Sequence, residues 1–134
     1  MQFLKPLILL ALIPLAACVK KEPEPTGAED FATYCAACHG DGGKGDGPMR
    51  DTLDKRPADL TTLAHRNGGT LPMARVMSKI WGYAKAPDGT VMPQFAPLLE
   101  GDQMVLFDSG DGISTPTPLR LVQLAEHIQT LQGK

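Results

Sequence analysis

The sequence predicts a small all-α domain in which an N-terminal and a C-terminal helix cross around one covalently held group. Three observations point there. Thr26 and Glu29 make a capping box, Cys35-Ala36-Ala37-Cys38-His39 closes the helix it opens, and Leu121, Leu124, Ala125, Ile128 and Leu131 recur at steps of three and four near the end of the chain. Aromatic residues make up only 5% of the composition, little bulk for a compact core, so a flat apolar group bound between the helices supplies what the side chains lack. The chain without that group should then be poorly ordered, which circular dichroism would register as lost helix content.

The chain opens on a segment set apart from the domain. After Lys5, Pro6 to Leu15 is apolar and Leu15-Ala16-Ala17-Cys18 ends the run. The run is short for a membrane span and reads as an export signal over residues 1–17. Its ending is similar to a bacterial lipoprotein box, which makes Cys18 the expected lipidation site, held at a membrane by its acyl chains. Residues 18–27 carry charge and proline without an apolar period and read as a tether of about 30 Å when extended. The domain is expected over 28–134. Its expected location is the bacterial cell envelope, lipid-anchored, in the periplasm or otherwise outside the cytoplasmic membrane.

In the first helix Glu29 and Asp30 lie in the favourable first turn, and Phe31 and Cys35, four apart, share a face. Two cysteines spaced Cys-x-x-Cys with histidine directly after the second is the attachment pattern for c-type haem. Both sulfurs must reach the vinyl groups of one porphyrin while the next imidazole turns under the ring to its iron. A zinc site needs two more ligands, and neither His65 nor His127 is paired with another histidine or cysteine. A thioredoxin-like pair would follow a strand in a βαβ pattern, which this sequence lacks. Cys35 and Cys38 are therefore the expected thioether positions, His39 an axial ligand, and no cysteine is left for a disulfide.

Gly40, Gly42 and Gly45 satisfy Gly-x-Gly-x-x-Gly, but no strand precedes them and no helix follows, so the dinucleotide reading fails. Gly45 after Lys44 excludes a phosphate loop. These glycines instead let the backbone turn close beneath the haem edge. Residues 49–67 read as irregular, with Arg56-Pro57-Ala58-Asp59-Leu60 a loop over the cofactor and His65 a solvated histidine rather than an axial ligand.

Thr70 is expected to cap a helix over Leu71 to Trp81, ended by Gly82, with Met73, Val76, Met77, Ile80 and Trp81 on its buried stripe. Ala86-Pro87-Asp88-Gly89 is a turn. Met92 follows on a loop stiffened by Pro93, a setting that packing alone does not explain, and is the expected sixth ligand of the iron. Met104 is its rival, but Asp102 to Phe107 reads as a short helix that would bury it. Asp108 to Gly112 is turn-rich without the ligand spacing of a calcium loop. Thr117-Pro118 opens the last helix as cap and first-turn proline.

From about Thr26 to the C-terminus the chain resembles a class I mono-haem c-type cytochrome. The resemblance rests on Cys35-Ala36-Ala37-Cys38-His39-Gly40, Gly45-Asp46-Gly47-Pro48, Met92-Pro93 and the final amphipathic helix, in that order. It implies one covalent haem c with iron between His39 and Met92, and one-electron transfer in place of catalysis, because both axial positions are filled. A thioether ligand favours the reduced state. Many relatives carry an aromatic residue where this chain has Glu126-His127-Ile128, so the helix crossing should pack differently here.

The implied partners are redox proteins, donor and acceptor, met alone or within a larger oxidoreductase, and a membrane through the lipid. With a net charge of −2, no nucleic-acid partner is expected. Basic side chains outnumber acidic ones between Lys44 and Lys85, whereas two basic face six acidic from Ala86 to Lys134, which suggests a mildly basic docking face around the haem crevice. Two other classes remain open on sequence alone. A vacant or labile sixth position would suit ligand sensing or peroxidase-like chemistry, and Cys35 with Cys38 would serve a thiol or metal protein.

Overall fold

The computed structural model describes residues 22–83 and 92–134. The export signal, Cys18 and the turn at 86–89 lie outside them. The described chain runs through α1 (Gly27–Tyr34), α2 (Ala36–His39), single 3-10 turns at Arg50–Thr52, Leu60–Thr62 and His65–Asn67, then α3 (Met73–Trp81) and α4 (Ala96–Leu99), a hairpin of β1 (Met104–Asp108) and β2 (Ser114–Pro118), and α5 (Leu119–Thr130). Among the described residues no helix is long and apolar enough to cross a membrane.

The capping box forms as expected: the Glu29 N–H donates to Thr26 Oγ1 at 3.3 Å, and the Thr26 N–H donates to Glu29 Oε2 at 2.7 Å. Gly27, read above as the end of the tether, is the first residue of α1 and is buried. It lies directly on the backbone of α5, where a Cβ would overlap the Gln123 carbonyl. Four residues along α1, Phe31 meets His127 with ring centroids 5.1 Å apart and planes tilted by 51°. The helix crossing thus carries a ring-on-ring contact in which one partner is an imidazole.

Burial holds the His127 imidazole below its ordinary pKa, helped by Lys134. A base depressed in the folded state binds protons more readily unfolded, so its contribution is present above the unfolded value and is lost as pH falls through the window beneath about 6.5. The denaturant midpoint should therefore drop more between about pH 7.5 and about pH 5 in the native protein than in His127→Phe. Equal drops would remove His127 from the account.

Asp30, only 1% exposed, is held by α5: Arg120 Nε donates to Oδ2 at 3.0 Å and Nη2 to Oδ1 at 2.5 Å. Arg120 Nη1 also donates to the Leu98 carbonyl at 2.7 Å, so one guanidinium joins α1, α4 and α5. Around it Leu121, Leu124, Ala125, Ile128 and Leu131 are all buried, with Met77, Ile80, Phe95 and Leu99 completing the core.

Three expectations about helix boundaries and class need correction. The third helix starts at Met73, and no side chain caps it. Leu71 precedes Pro72, which disfavours helical backbone at Leu71, so the helix begins only past the proline and Thr70 is too early to cap it. The expected helix over Asp102 to Phe107 is a strand, which makes the domain mostly helical with a two-stranded sheet rather than all-α. Met104 is accordingly 55% exposed on that strand and not in a helical core. Finally, Thr117 belongs to β2 and Pro118 occupies the N-cap of α5, with the Thr117 hydroxyl donating to the Thr115 carbonyl at 3.0 Å.

Alternate burial along β1 sets Val105 and Phe107 against the core and Met104, Leu106 and Asp108 outward. Asp108 closes the hairpin by accepting the N–H groups of Gly110, Asp111 and Gly112 on Oδ1, at 2.8, 3.1 and 3.0 Å. Between hairpin and α3 lies a cleft of about 380 Å³ bordered by Met77, Trp81, Tyr83, Phe107, Thr115 and Thr117.

Candidate functional site

The first chemistry-bearing stretch sits at the joint between α1 and α2. Cys35 ends one helix and leads the next, with the Cys38 and His39 N–H groups donating to its carbonyl at 3.2 and 2.8 Å. This single turn places both thiols and the imidazole together. Cys35 is buried, Cys38 is half-buried, and neither is in a disulfide. Burial pushes the Cys35 thiol up to about 11, with the Asp30 carboxylate and Cys38 adding to it. A thioredoxin-like nucleophile needs the opposite shift, a depressed thiol pKa.

A short helix leaves its last carbonyls without intrahelical partners, and here the glycine loop supplies them. The N–H groups of Gly45, Gly47 and Met49 donate in turn to the carbonyls of His39, Cys38 and Ala37, at 2.8, 3.2 and 2.9 Å. So close a return requires glycine at 47, where a Cβ would lie 2.5 Å from the Ala37 carbonyl oxygen and 2.6 Å from that of Ala36. Gly47→Ala should accordingly loosen this turn and reduce the yield of haem-loaded protein, measured as covalent haem per polypeptide; an unchanged yield would show that the loop's closeness is dispensable.

The loop also fixes the histidine. Its Gly43 carbonyl accepts the Leu60 N–H at 2.7 Å, which brings residues 56–60 over α2, and the Ala58 carbonyl then lies 2.9 Å from His39 Nδ1. A carbonyl only accepts, so Nδ1 carries the proton and Nε2 keeps its lone pair. Burial lowers the His39 pKa, partly offset by the Ala58 hydrogen bond, which keeps the ring neutral and able to bind a metal.

Other members of this support were not foreseen. Gln132 accepts the Ala64 N–H at 2.8 Å and donates to the carbonyls of Leu60 and Ile128 at 2.8 and 2.9 Å, and the Gly133 N–H reaches the Thr61 carbonyl at 2.9 Å. The chain end thereby clamps the loop that presents Ala58. Nothing local marks a glutamine for this role; only the fold brings positions 60 and 132 together.

Met92 lies on a separate segment, half-buried against the core cluster that contains Cys35. Its loop is tied down where the Phe95 N–H donates to the Ile80 carbonyl at 3.0 Å and Gln94 packs on Gly82. The rivals stand elsewhere: Met104 on the outward face of β1 and His65 exposed in a 3-10 turn. Among the described residues no three His, Cys, Asp or Glu side chains gather in a group that could hold a metal ion.

Two unpaired thiols one turn apart and a neutral imidazole with one free nitrogen form a donor set that fits a c-type haem. The family model for cytochrome c matches residues 25–105, more than half of the chain, from the start of the capping box past Met92 into β1. No curated protein and no solved structure matches at a significant level. Covalent haem c is the cofactor that goes with this match and electron transfer the work it does, and on both the sequence match and the local geometry the chain belongs to the cytochrome c family.

Proposed function

We propose that the chain is a lipid-anchored one-electron carrier of the class I mono-haem kind, with Cys35 and Cys38 as the thioether positions and His39 and Met92 as the axial ligands. The observation that carries the reading is the His39 ring. Its Nδ1 is committed to the Ala58 carbonyl at 2.9 Å, within one turn of two free thiols. Bound haem supplies the Fe(II)/Fe(III) couple. The chain's own residues do the rest: Ala58 fixes the tautomer and plane of His39, burial keeps that ring neutral, and the Phe95 to Ile80 hydrogen bond steadies the Met92 loop. Ligands held this way favour electron exchange with little rearrangement. Acylation at Cys18 would keep the domain at a membrane of the cell envelope, outside the cytoplasm, with the tether letting it reach a donor and an acceptor in a redox chain.

Haem staining after denaturing electrophoresis should be positive for the native chain and lost in a Cys35→Ser, Cys38→Ser double variant. No stain in the native chain would turn the assignment to a thiol or metal protein. Cys18→Ala should move the haem-loaded protein from the membrane to the soluble fraction.

A further inference from the structure

The hairpin has two edges of different chemistry. The Leu119 N–H donates to the Gln103 carbonyl at 3.0 Å, one step beyond the Met104↔Pro118 pair. Hydrogen-bonded and non-bonded pairs alternate in an antiparallel ladder, so Val105↔Thr117 and Phe107↔Thr115 are the bonded pairs. The backbone groups of Met104, Leu106 and Asp108 therefore point away from β2, and those of Ser114, Pro116 and Pro118 point away from β1. Two of the three outward positions on β2 have no N–H, and that edge cannot extend the sheet. The β1 edge offers a donor and an acceptor at each of its three. Among the described residues none of these has a backbone partner. Beside them Leu106 is 74% exposed and Met104 more than half.

Charge selects the occupant. From Met92 to Leu119 the chain carries Glu100, Asp102, Asp108 and Asp111 and no lysine or arginine. Asp108 ends β1 and Asp111 follows it in the turn. The N–H groups of Gly110, Gly112 and Asp111 hold the Asp108 carboxyl below the usual carboxylate range, so this end of the strand stays negative. Pairing with a second copy about Leu106 would bring two such acidic segments, each without lysine or arginine, side by side, a like-charge approach that disfavours self-association. We propose that the outer edge of β1 is a docking site for an extended segment of a partner protein, apolar and flanked by lysine or arginine, which adds a third strand to the hairpin.

The test is amide hydrogen exchange in the reduced, haem-loaded, full-length protein in detergent, with the synthetic peptide Lys-Val-Thr-Val-Thr-Val-Lys as probe. Exchange at Met104, Leu106 and Asp108 should slow about tenfold while Val105 and Phe107, already bonded to β2, stay unchanged. A glutamate-flanked version should have no effect. Leu106→Pro removes one outward N–H without breaking a ladder bond, as Pro116 does directly across the sheet, and should abolish the slowing. Leu106→Lys keeps the N–H, guards against a misfolded proline variant, and should weaken the lysine-flanked peptide while admitting the glutamate-flanked one. The proposal is overturned by no slowing, by equal slowing with both peptides, or by protection that grows with protein concentration alone, which would make a second copy the occupant.

Discussion

Replacing Arg120 by methionine should lower stability by about 3–5 kcal/mol, the usual cost of removing one partner from a buried ion pair. The loss comes from what is left behind. Asp30 is almost wholly buried between α1 and α5, and its two oxygens are met by Arg120 Nε and Nη2. The Leu98 carbonyl loses its guanidinium donor as well. The pair itself need not be strongly favourable, because two charges have been taken out of water to make it. Asp30→Leu combined with Arg120→Met should therefore recover most of the loss, since no uncompensated charge remains. Denaturant unfolding of the haem-loaded protein measures both. A single-variant loss below about 1 kcal/mol would show that water reaches Asp30 and that the clamp is peripheral.

Gly27→Val should destabilise the fold by about 3 kcal/mol or more, because the space a side chain needs is filled by α5 backbone that cannot rotate aside. The Gln123 carbonyl and the Leu124 nitrogen both lie where the new atoms would go. The helices would have to separate, loosening Phe31 from His127 and the core beneath them. Ala28→Val, one residue on and exposed, serves as the control and should cost only about 0.5 kcal/mol through helix propensity. Similar losses at the two positions would mean that the crossing is not set by close backbone contact.

The parts of this protein that were legible in the sequence are those encoded locally. The capping box, the Cys35–His39 turn and the apolar face of α5 depend on residues a few positions apart, and each lies where the pattern put it. The hairpin was not legible because its second strand, Ser-Thr-Pro-Thr-Pro, carries two residues that ordinarily argue against a strand. They fit only because Pro116 and Pro118, two apart, both occupy outward positions of the ladder, a fact of register and not of composition. The same strand absorbs Thr117, which otherwise resembles a helix cap. Gly27, Arg120 and Gln132 were missed for a further reason: each acts on a residue far along the chain, and nothing near it announces the contact. Within the site, the cysteines and His39 were visible as a motif. The carbonyl that sets the tautomer of His39 was not, since Ala58 contributes only backbone.

The most direct measurement of the central claim is the absorption spectrum of purified haem-loaded protein, oxidised and reduced, for native chain and Met92→Ala. A closed site with His39 and Met92 as axial ligands predicts a low-spin spectrum, the weak long-wavelength band of sulfur-ligated ferric haem, and no response to carbon monoxide, with the band lost and carbon monoxide binding gained in Met92→Ala. A native protein that is high-spin and binds carbon monoxide, or a Met92→Ala spectrum identical to the native one, would contradict it.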